Sequence, residues 1–490
     1  MSEYQMTMPQ EVVRIINTLE QHGYEAYAVG GCVRDAMLGR EPEDWDITTS
    51  AKPLEVKRLF RKTIDTGLQH GTITVMVNGE GYEVTTYRID GEYEDGRHPK
   101  EVAFTTSLRM DLERRDFTIN AMAYNDRSGL VDEFDGVGDL KRGVIRCVGD
   151  AGQRFDEDAL RMLRAVRFSG QLGFTIEDAT LQAMEQRIQN LQKISAERIR
   201  VEMTKLLISP NPGRFRVAYT SGMTGVFLPE FDRMMTCDQK NHHHCYTVGE
   251  HCMHSVEVMQ KFMAGMLPEP LSPYAAERIS QICGSLSKKQ YTMLVLAMLL
   301  HDVAKPEVMT VDEQGEGHFF GHPEQSAKTA GKILKRLTYD NETIDTVVRL
   351  IRYHDYRMET TMKSVRRAAS KIGRDIMWME FVVQYADVLS QSPQTIPEKL
   401  EKLDQCMEKY QEIEAKSQPL SVKDLAVNGR DLIRAGIAPG PGLGQKLSQL
   451  LDLVLEEPEI VKATTWYSTT IHASVEKGNI FACQFHPEKS

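Results

Sequence analysis

The sequence predicts an α+β protein, with a mixed strand-and-helix head followed by helices to about residue 461. Three observations carry this. Residues 9–148 alternate short apolar runs with helix-like windows. From Asp156 onward the strand patterns vanish, and apolar residues recur at three- and four-residue spacing, the period of a helix face. Asn78-Gly79, between apolar runs at 72–77 and 82–88, signals a tight hairpin, because both residues of such a turn need positive φ.

Taken in order, 24–29 reads as a buried strand, broken by Gly30-Gly31; 32–38 reads as a helix ended by Gly39, and 46–49 as a second strand. Helical windows follow at 155–168, 180–188 and 196–207, with Ser195 placed to cap the last. Pro210-Asn211-Pro212-Gly213, the stretch 267–273 and Pro439-Gly440-Pro441-Gly442 read as breaks. The longest apolar run, 291–300, stops at His301-Asp302, short of the ~18 residues a spanning helix needs. Repeats and low-complexity tracts are not found.

At 490 residues the chain has room for roughly three domains of ~150 residues. With 41% hydrophobic and 26% charged residues it is neither disordered nor fibrous. Eight scattered cysteines without a CxxC pair, and an N-terminus lacking a basic segment before an apolar core, predict a reduced, cytoplasmic protein without a secretory leader. A net charge of −11 argues against a general nucleic-acid coat. Residues 151–220, however, carry eleven Lys/Arg against eight Asp/Glu, which leaves room for a local basic surface.

Gly30-Gly31-x-x-Arg34-Asp35 sits where a strand gives way to a helix. Such a turn aims backbone N–H groups at one point, which suits a phosphate, and Arg34 can add a charged fork. Asp44-Trp45-Asp46 follows about fourteen residues later. In a strand, residues two apart share a face. Two carboxylates on one face repel unless a cation joins them, and oxygen-only ligands suit Mg²⁺. Glu83, on a neighbouring strand, is a candidate third acid. Arg114-Arg115-Asp116-x-x-x-Asn120 offers phosphate clamps beside ribose-hydroxyl partners.

With Glu157-Asp158-x-x-Arg161-x-x-Arg164, these segments occur in an order and spacing that resembles the class II tRNA nucleotidyltransferases (CCA-adding enzymes) and their poly(A) polymerase relatives, over roughly residues 9 to 460. The resemblance implies a nucleotidyltransferase α/β head over 1–148, a helical neck with a nucleotide-selecting helix over 149–235, an HD-type helical body over 236–400 and a helical tRNA-binding tail over 401–462. It implies addition of CCA, or its terminal A, to tRNA from CTP and ATP with Mg²⁺, by a monomer or homodimer. Asp44 and Asp46 would hold the metals, with Glu83 assisting. Gly30, Gly31, Arg34 and Arg115 would hold the triphosphate. Asp116 and Asn120 would order the ribose or brace the loop.

Base choice follows from hydrogen-bonding edges. Cytosine and adenine each present an amino donor beside a ring-nitrogen acceptor; uracil and guanine present the reverse. One protein acceptor and one donor therefore accept C and A and reject U and G. Asp158 and Arg161, three apart on an expected helix, would share a face and form that pair. Arg164 and Arg167 would reach phosphates or brace Asp158. The segment Ser195-x-Glu197-Arg198-x-x-x-Glu202 resembles the family's supporting neck helix. A full-length stretch 88–114 with Asp95-Gly96-Arg97-His98-Pro99 favours CCA or A addition over CC addition; a poly(A) polymerase is the alternative within the family.

A second constellation lies further on. His251, His301-Asp302 and Asp387 match the H…HD…D order of the His-Asp phosphohydrolases. The resemblance implies a divalent transition metal and phosphoester hydrolysis, with His318, His322 and His354 as candidates for further ligands or phosphate contacts. The contrasting reading keeps this activity and makes the head only an RNA-binding module. His242–His244 beside Cys245 reads as a solvated loop. Residues 463–490 resemble the end of a class I glutamine amidotransferase, without the cysteine nucleophile, and read as an inert appendage.

Overall fold

The computed structural model describes residues 4–90, 102–240, 246–434 and 436–456, together with the backbone of 461–466, 470–477 and 480–483. Residues 95–99, His242–His244 and the final segment 484–490 lie outside that set. The chain divides into two compact units, Met1–Asp232 and Arg233–Ser490.

The first unit is built on a sheet. Its strands are β1 (Ala26–Val29), β2 (Ile47–Thr49), β3 (Thr63–Gly67), β4 (Thr72–Val77), β5 (Glu80–Thr86), β6 (Arg88–Asp90), β7 (Val102–Phe104), β8 (Met122–Asn125) and β9 (Gly129–Asp132). Seven of them form one sheet in the order β3-β4-β5-β2-β1-β8-β9, while β6 and β7 pair separately. Within the sheet β2 and β5 are parallel and the other neighbours antiparallel. Strands β1, β2 and β8 are buried at every residue, including the polar Thr48, Thr49 and Asn125. The helix Gln10–Gln21 turns Val12, Ile15, Ile16 and Leu19 into the core. The expected hairpin is present, with φ of 53° at Asn78 and 95° at Gly79.

Three local expectations differ. Strand β2 begins at Ile47, so Asp44-Trp45-Asp46 lies on the extended segment entering it; Val29 N–H still donates to the Asp46 carbonyl at 2.9 Å. The window 155–168 is two helices, Ala151–Glu157 and Leu160–Leu172. Asp158 breaks it: its backbone is extended (φ −144°, ψ 102°) and its Oδ1 accepts the Leu160 N–H at 3.0 Å. The neck is also not purely helical, because β10 (Val144–Ile145) and β11 (Thr175–Ile176) pair in parallel. Two-residue strands are too short to show a period in sequence. Ser195 does stand at the N-cap of the helix Ala196–Leu207, but its side chain makes no capping bond; its carbonyl accepts from Arg198 and Ile199 N–H.

The second unit centres on the helix Lys288–Leu300, whose last eight residues are all buried. A helix apolar on every side belongs inside. It is packed by Val248–Met263, Asn341–Tyr353 and Met377–Leu389. A capping box of Ser287 and Gln290 starts it and His301 stands at its C-cap. A small hairpin, β12 (Thr310–Val311) with β13 (Gly317–His318), projects beyond it. The helices Ile396–Ala415, Gly429–Arg434 and Pro441–Glu456 follow. Strands β14 (Val461–Trp466), β15 (Thr470–Lys477) and β16 (Ile480–Cys483) then form a three-stranded antiparallel sheet. Among the described residues no helix is long and apolar enough to cross a membrane.

Candidate active site

The parallel pairing of β2 with β5 sets Ile47 against Val84, both buried. One residue earlier that register places Asp46 beside Glu83, on the opposite, solvent-reaching side; Asp44 stands two residues before Asp46. Burial raises the Asp46 carboxyl pKa above the usual carboxylate range; Arg115 opposes this and Asp44 adds to it. Glu83 is raised too, by burial and then by Asp46 and Asp44. Carboxylates gathered this way, with Asp46 and Glu83 each raised in part by acidic neighbours, form a donor set suited to a hard divalent cation. Their oxygens do not all lie within 4.8 Å of one another.

Opposite the acids lies the glycine turn. Gly30 has φ 82°, and a Cβ there would come within 2.9 Å of Arg115 Nη1. The positive φ is what calls for glycine here, and the tip of the Arg115 side chain lies against it. Among the described residues the buried Arg115 Nε has no hydrogen-bond partner, and Nη2 is 3.5 Å from Asp111. Arg34 is differently placed. Its Nε and Nη2 grip Asp35 in a fork at 2.9 and 2.8 Å, and Nη1 donates to Asn120 Oδ1 at 2.7 Å. The fork expected to meet a phosphate is thus engaged by its own neighbour.

Asn120 continues the chain of bonds, donating from Nδ2 to Asp116 Oδ1 at 3.1 Å. Arg164 donates twice to Asp116 Oδ2, at 2.8 and 2.6 Å. Burial alone would raise the Asp116 carboxyl pKa, but Arg164 and the Asn120 bond hold it well below the usual range. Asp116, Asn120 and Arg164 therefore brace the loop against the helix Leu160–Leu172. Arg167 turns the other way, to Glu202 on Ala196–Leu207 and to Gln171. Its guanidinium lies 3.8 Å from the Phe168 ring centre.

Asp158 and Arg161 do not share a helix face, because the helix is interrupted between them. Asp158 Oδ2 accepts from Arg198 at 2.6 Å. Arg161 Nη1 bonds Glu157 at 2.7 Å and the Arg154 carbonyl at 3.3 Å, and Nη2 reaches the Arg114 carbonyl at 3.1 Å. Neither Glu157 nor Arg198 had been singled out as a site residue. Both adjoin the expected motifs, yet sequence spacing does not show that Arg198 crosses to Asp158. Asp111 was also missed, although its spacing of three and four from Arg114 and Arg115 is that of helical ion pairs.

The second unit brings His251, His301, Asp302 and Asp387 together. His251 Nε2 is 2.8 Å from Asp387 Oδ1 and 3.1 Å from His301 Nε2; His301 Nε2 is 3.3 Å from Asp302 Oδ2. His322 and His354 join, their Nε2 atoms 3.3 and 3.6 Å from Asp302 Oδ1. All four imidazoles set Nδ1 against a backbone carbonyl, of Ser390, Met298, Phe319 and Ile351 respectively, at 2.6–3.1 Å. That arrangement favours the tautomer with Nδ1–H and turns four Nε2 lone pairs inward. Among the described residues three sets of metal-competent atoms result, His251/His301/Asp387, Cys252/His301/Asp302 and Asp302/His322/His354. His318 stands apart, paired with Asp312 at 2.8 Å.

Comparison with known proteins agrees with this layout. Residues 26–146 match the poly A polymerase head domain, 173–235 the "Probable RNA and SrmB- binding site of polymerase A", and 318–460 the tRNA nucleotidyltransferase domain 2. A CCA-adding enzyme of Lactiplantibacillus plantarum is 50% identical over 234 residues, 48% of this chain and 54% of that protein. One of Leuconostoc mesenteroides is 55% identical over 204 residues, 41% and 51% of the two chains. The chain spans about half the length of these curated relatives. The structure of the Bacillus stearothermophilus CCA-adding enzyme in complex with CTP is similar at 29% identity and TM-score 0.62, over 92% of this chain and 96% of that one. The Thermotoga maritima CCA-adding enzyme complexed with tRNA shares the fold at 20% identity and TM-score 0.56, over 92% and 93% of the chains. The matched head, the RNA-binding segment and the second tRNA nucleotidyltransferase domain, together with the CCA-adding relatives, support placing this chain in the class II CCA-adding enzyme and poly(A) polymerase family.

Proposed function

We propose that this chain adds CCA, or its terminal A, to the 3′ end of tRNA from CTP and ATP, in the cytoplasm and with Mg²⁺. The observation that carries this reading is the alignment of Asp46 with Glu83 across β2 and β5, with Asp44 beside them and Arg115 facing Asp46. Mg²⁺ bound by Asp44 and Asp46 would activate the attacking hydroxyl and neutralise the leaving pyrophosphate. Arg115, poised over the Gly30 turn, would grip the triphosphate. The bonds linking Asp116, Asn120 and Arg34 would keep that turn rigid, so that the phosphate grip needs little rearrangement. The base would meet Asp158 and Arg161, each already fixed by a neighbouring charged group. A carboxylate accepts more hydrogen bonds than the two it makes here, so Asp158 can still take an amino group from C or A. The basic stretch 151–220 supports an acceptor-stem surface.

The test is incubation with tRNAs lacking three, two or one terminal nucleotides and each labelled NTP. Ordered incorporation of C, C and A supports full CCA addition. Incorporation of A alone onto tRNA ending in CC narrows the reading to A addition. Absence of any incorporation sinks it.

A second, separate reading rests on the four inward-facing Nε2 atoms of the helical unit. Nitrogen and carboxylate ligands in one buried cluster suit a divalent transition metal, whose chemistry when bound is activation of water against a phosphoester. This reading makes the cluster a phosphohydrolase centre. Hydrolysis of a 2′,3′-cyclic phosphate that persists in metal-free buffer would refute it.

A further inference from the structure

Asp111 is fully buried, yet no step of the proposed reaction uses it. It sits on the short helix Leu108–Glu113, started by Ser107, whose hydroxyl accepts the Met110 N–H. Its two oxygens gather donors from three parts of the head. Oδ2 accepts the Thr48 hydroxyl at 3.0 Å, and Thr48 is two residues beyond Asp46 on β2. Oδ1 accepts the Arg88 N–H at 3.3 Å, at the start of β6. Oδ1 also accepts Arg114 Nε and Nη2 at 3.0 and 2.9 Å, while Arg115 Nη2 lies 3.5 Å from Oδ2.

A buried carboxylate needs such compensation, but core stability alone would be met by Thr48, Arg88 and Arg114. The additional contact with Arg115 has a separate consequence. Arg115 is the guanidinium that lies against Gly30 and faces Asp46. Asp111 therefore ties the strand carrying the acids and the phosphate-facing arginine to one rigid point.

We infer that Asp111 is a positioning residue that holds Arg115 over the glycine turn for the triphosphate, acting through Arg115 and Thr48 rather than by touching the nucleotide. This rests on the nucleotidyltransferase reading of the head. The probe is inorganic tripolyphosphate, titrated by calorimetry into the full chain with Mg²⁺, so that phosphate binding is measured without base or tRNA.

Asp111→Asn keeps the size and one acceptor but removes the charge. The expected result is about a tenfold loss of tripolyphosphate affinity and a similar rise in KM for both CTP and ATP. Preference for CTP over UTP should stay at the wild-type ratio, because base recognition is elsewhere. Asp111→Glu, which restores the charge, should recover part of the affinity, and it decides the matter if Asp111→Asn does not fold. Tripolyphosphate binding equal to wild type in a folded Asp111→Asn overturns the inference alone; where only Asp111→Glu folds, binding fully equal to wild type does the same, because a displaced carboxylate would then hold Arg115 no worse. Loss of base preference in parallel with phosphate affinity also overturns it, since that marks collapse of the whole pocket. Wild-type protein that binds no tripolyphosphate overturns the nucleotidyltransferase reading itself.

Discussion

Asp158 and Arg198 are joined at 2.6 Å across forty positions of sequence, linking the break between two neck helices to a later one, Ala196–Leu207. The bond fixes a carboxylate at a helix interruption, its other oxygen already holding the Leu160 N–H. A selector that must tell a base amino group from a carbonyl needs that rigidity. A carboxylate that swings can follow the wrong partner, and a fixed one leaves it unmatched.

Replacing Arg198 with Ala should therefore loosen base choice without touching the metal ligands. The ratio of CTP to UTP incorporation is expected to fall by about tenfold, with a smaller change in kcat for CTP. Steady-state incorporation with each NTP checks this, and an unchanged ratio contradicts the role of Asp158.

Removal of Asp46 acts on a different step. Asp46→Ala is expected to lower nucleotide addition by roughly a hundredfold or more while tRNA binding persists. Filter binding of labelled tRNA beside an incorporation assay separates the two. Glu83→Gln should cost less, because Glu83 flanks the acid pair without belonging to the Asp-x-Asp segment.

Asp116 predicts a pH dependence of stability. Its folded-state carboxyl pKa is held below the ordinary aspartate value of ~3.9. The contribution is present in full above that value and is lost as the pH falls below it toward the folded pKa. Thermal melts between about pH 5 and 3 should show a shallower loss of Tm in Asp116→Asn than in wild type. Parallel slopes would show that Arg164 does not select the ionised form.

The histidine cluster makes an independent prediction. His301→Ala and His322→Ala should each reduce bound transition metal per chain, read by elemental mass spectrometry after metal loading and gel filtration. Nucleotide addition should keep its wild-type rate in both. A matching loss of addition would show that the two centres depend on each other.

Much of the fold was legible because its signals are local. The Asn78-Gly79 turn, the glycine break after β1 and the apolar helix ending at His301 each depend on residues adjacent in sequence. The acids, the arginines and the His-Asp order could be listed from spacing alone. Their partners could not. Arg34 closing on Asp35, Arg164 on Asp116 and Arg161 on Glu157 are choices among several carboxylates within reach. The split at Asp158 was hidden because apolar periodicity continues through it; only a tertiary bond to Arg198 and the local cap on Leu160 make the break favourable.

Residue type and spacing set which chemistry the chain can hold, because they limit what a strand end or a helix turn can present. The tertiary structure decided which charged group neutralises which. That outcome depends on distance and burial across segments far apart in the chain, and a buried charge takes whichever partner the packing brings within hydrogen-bond reach.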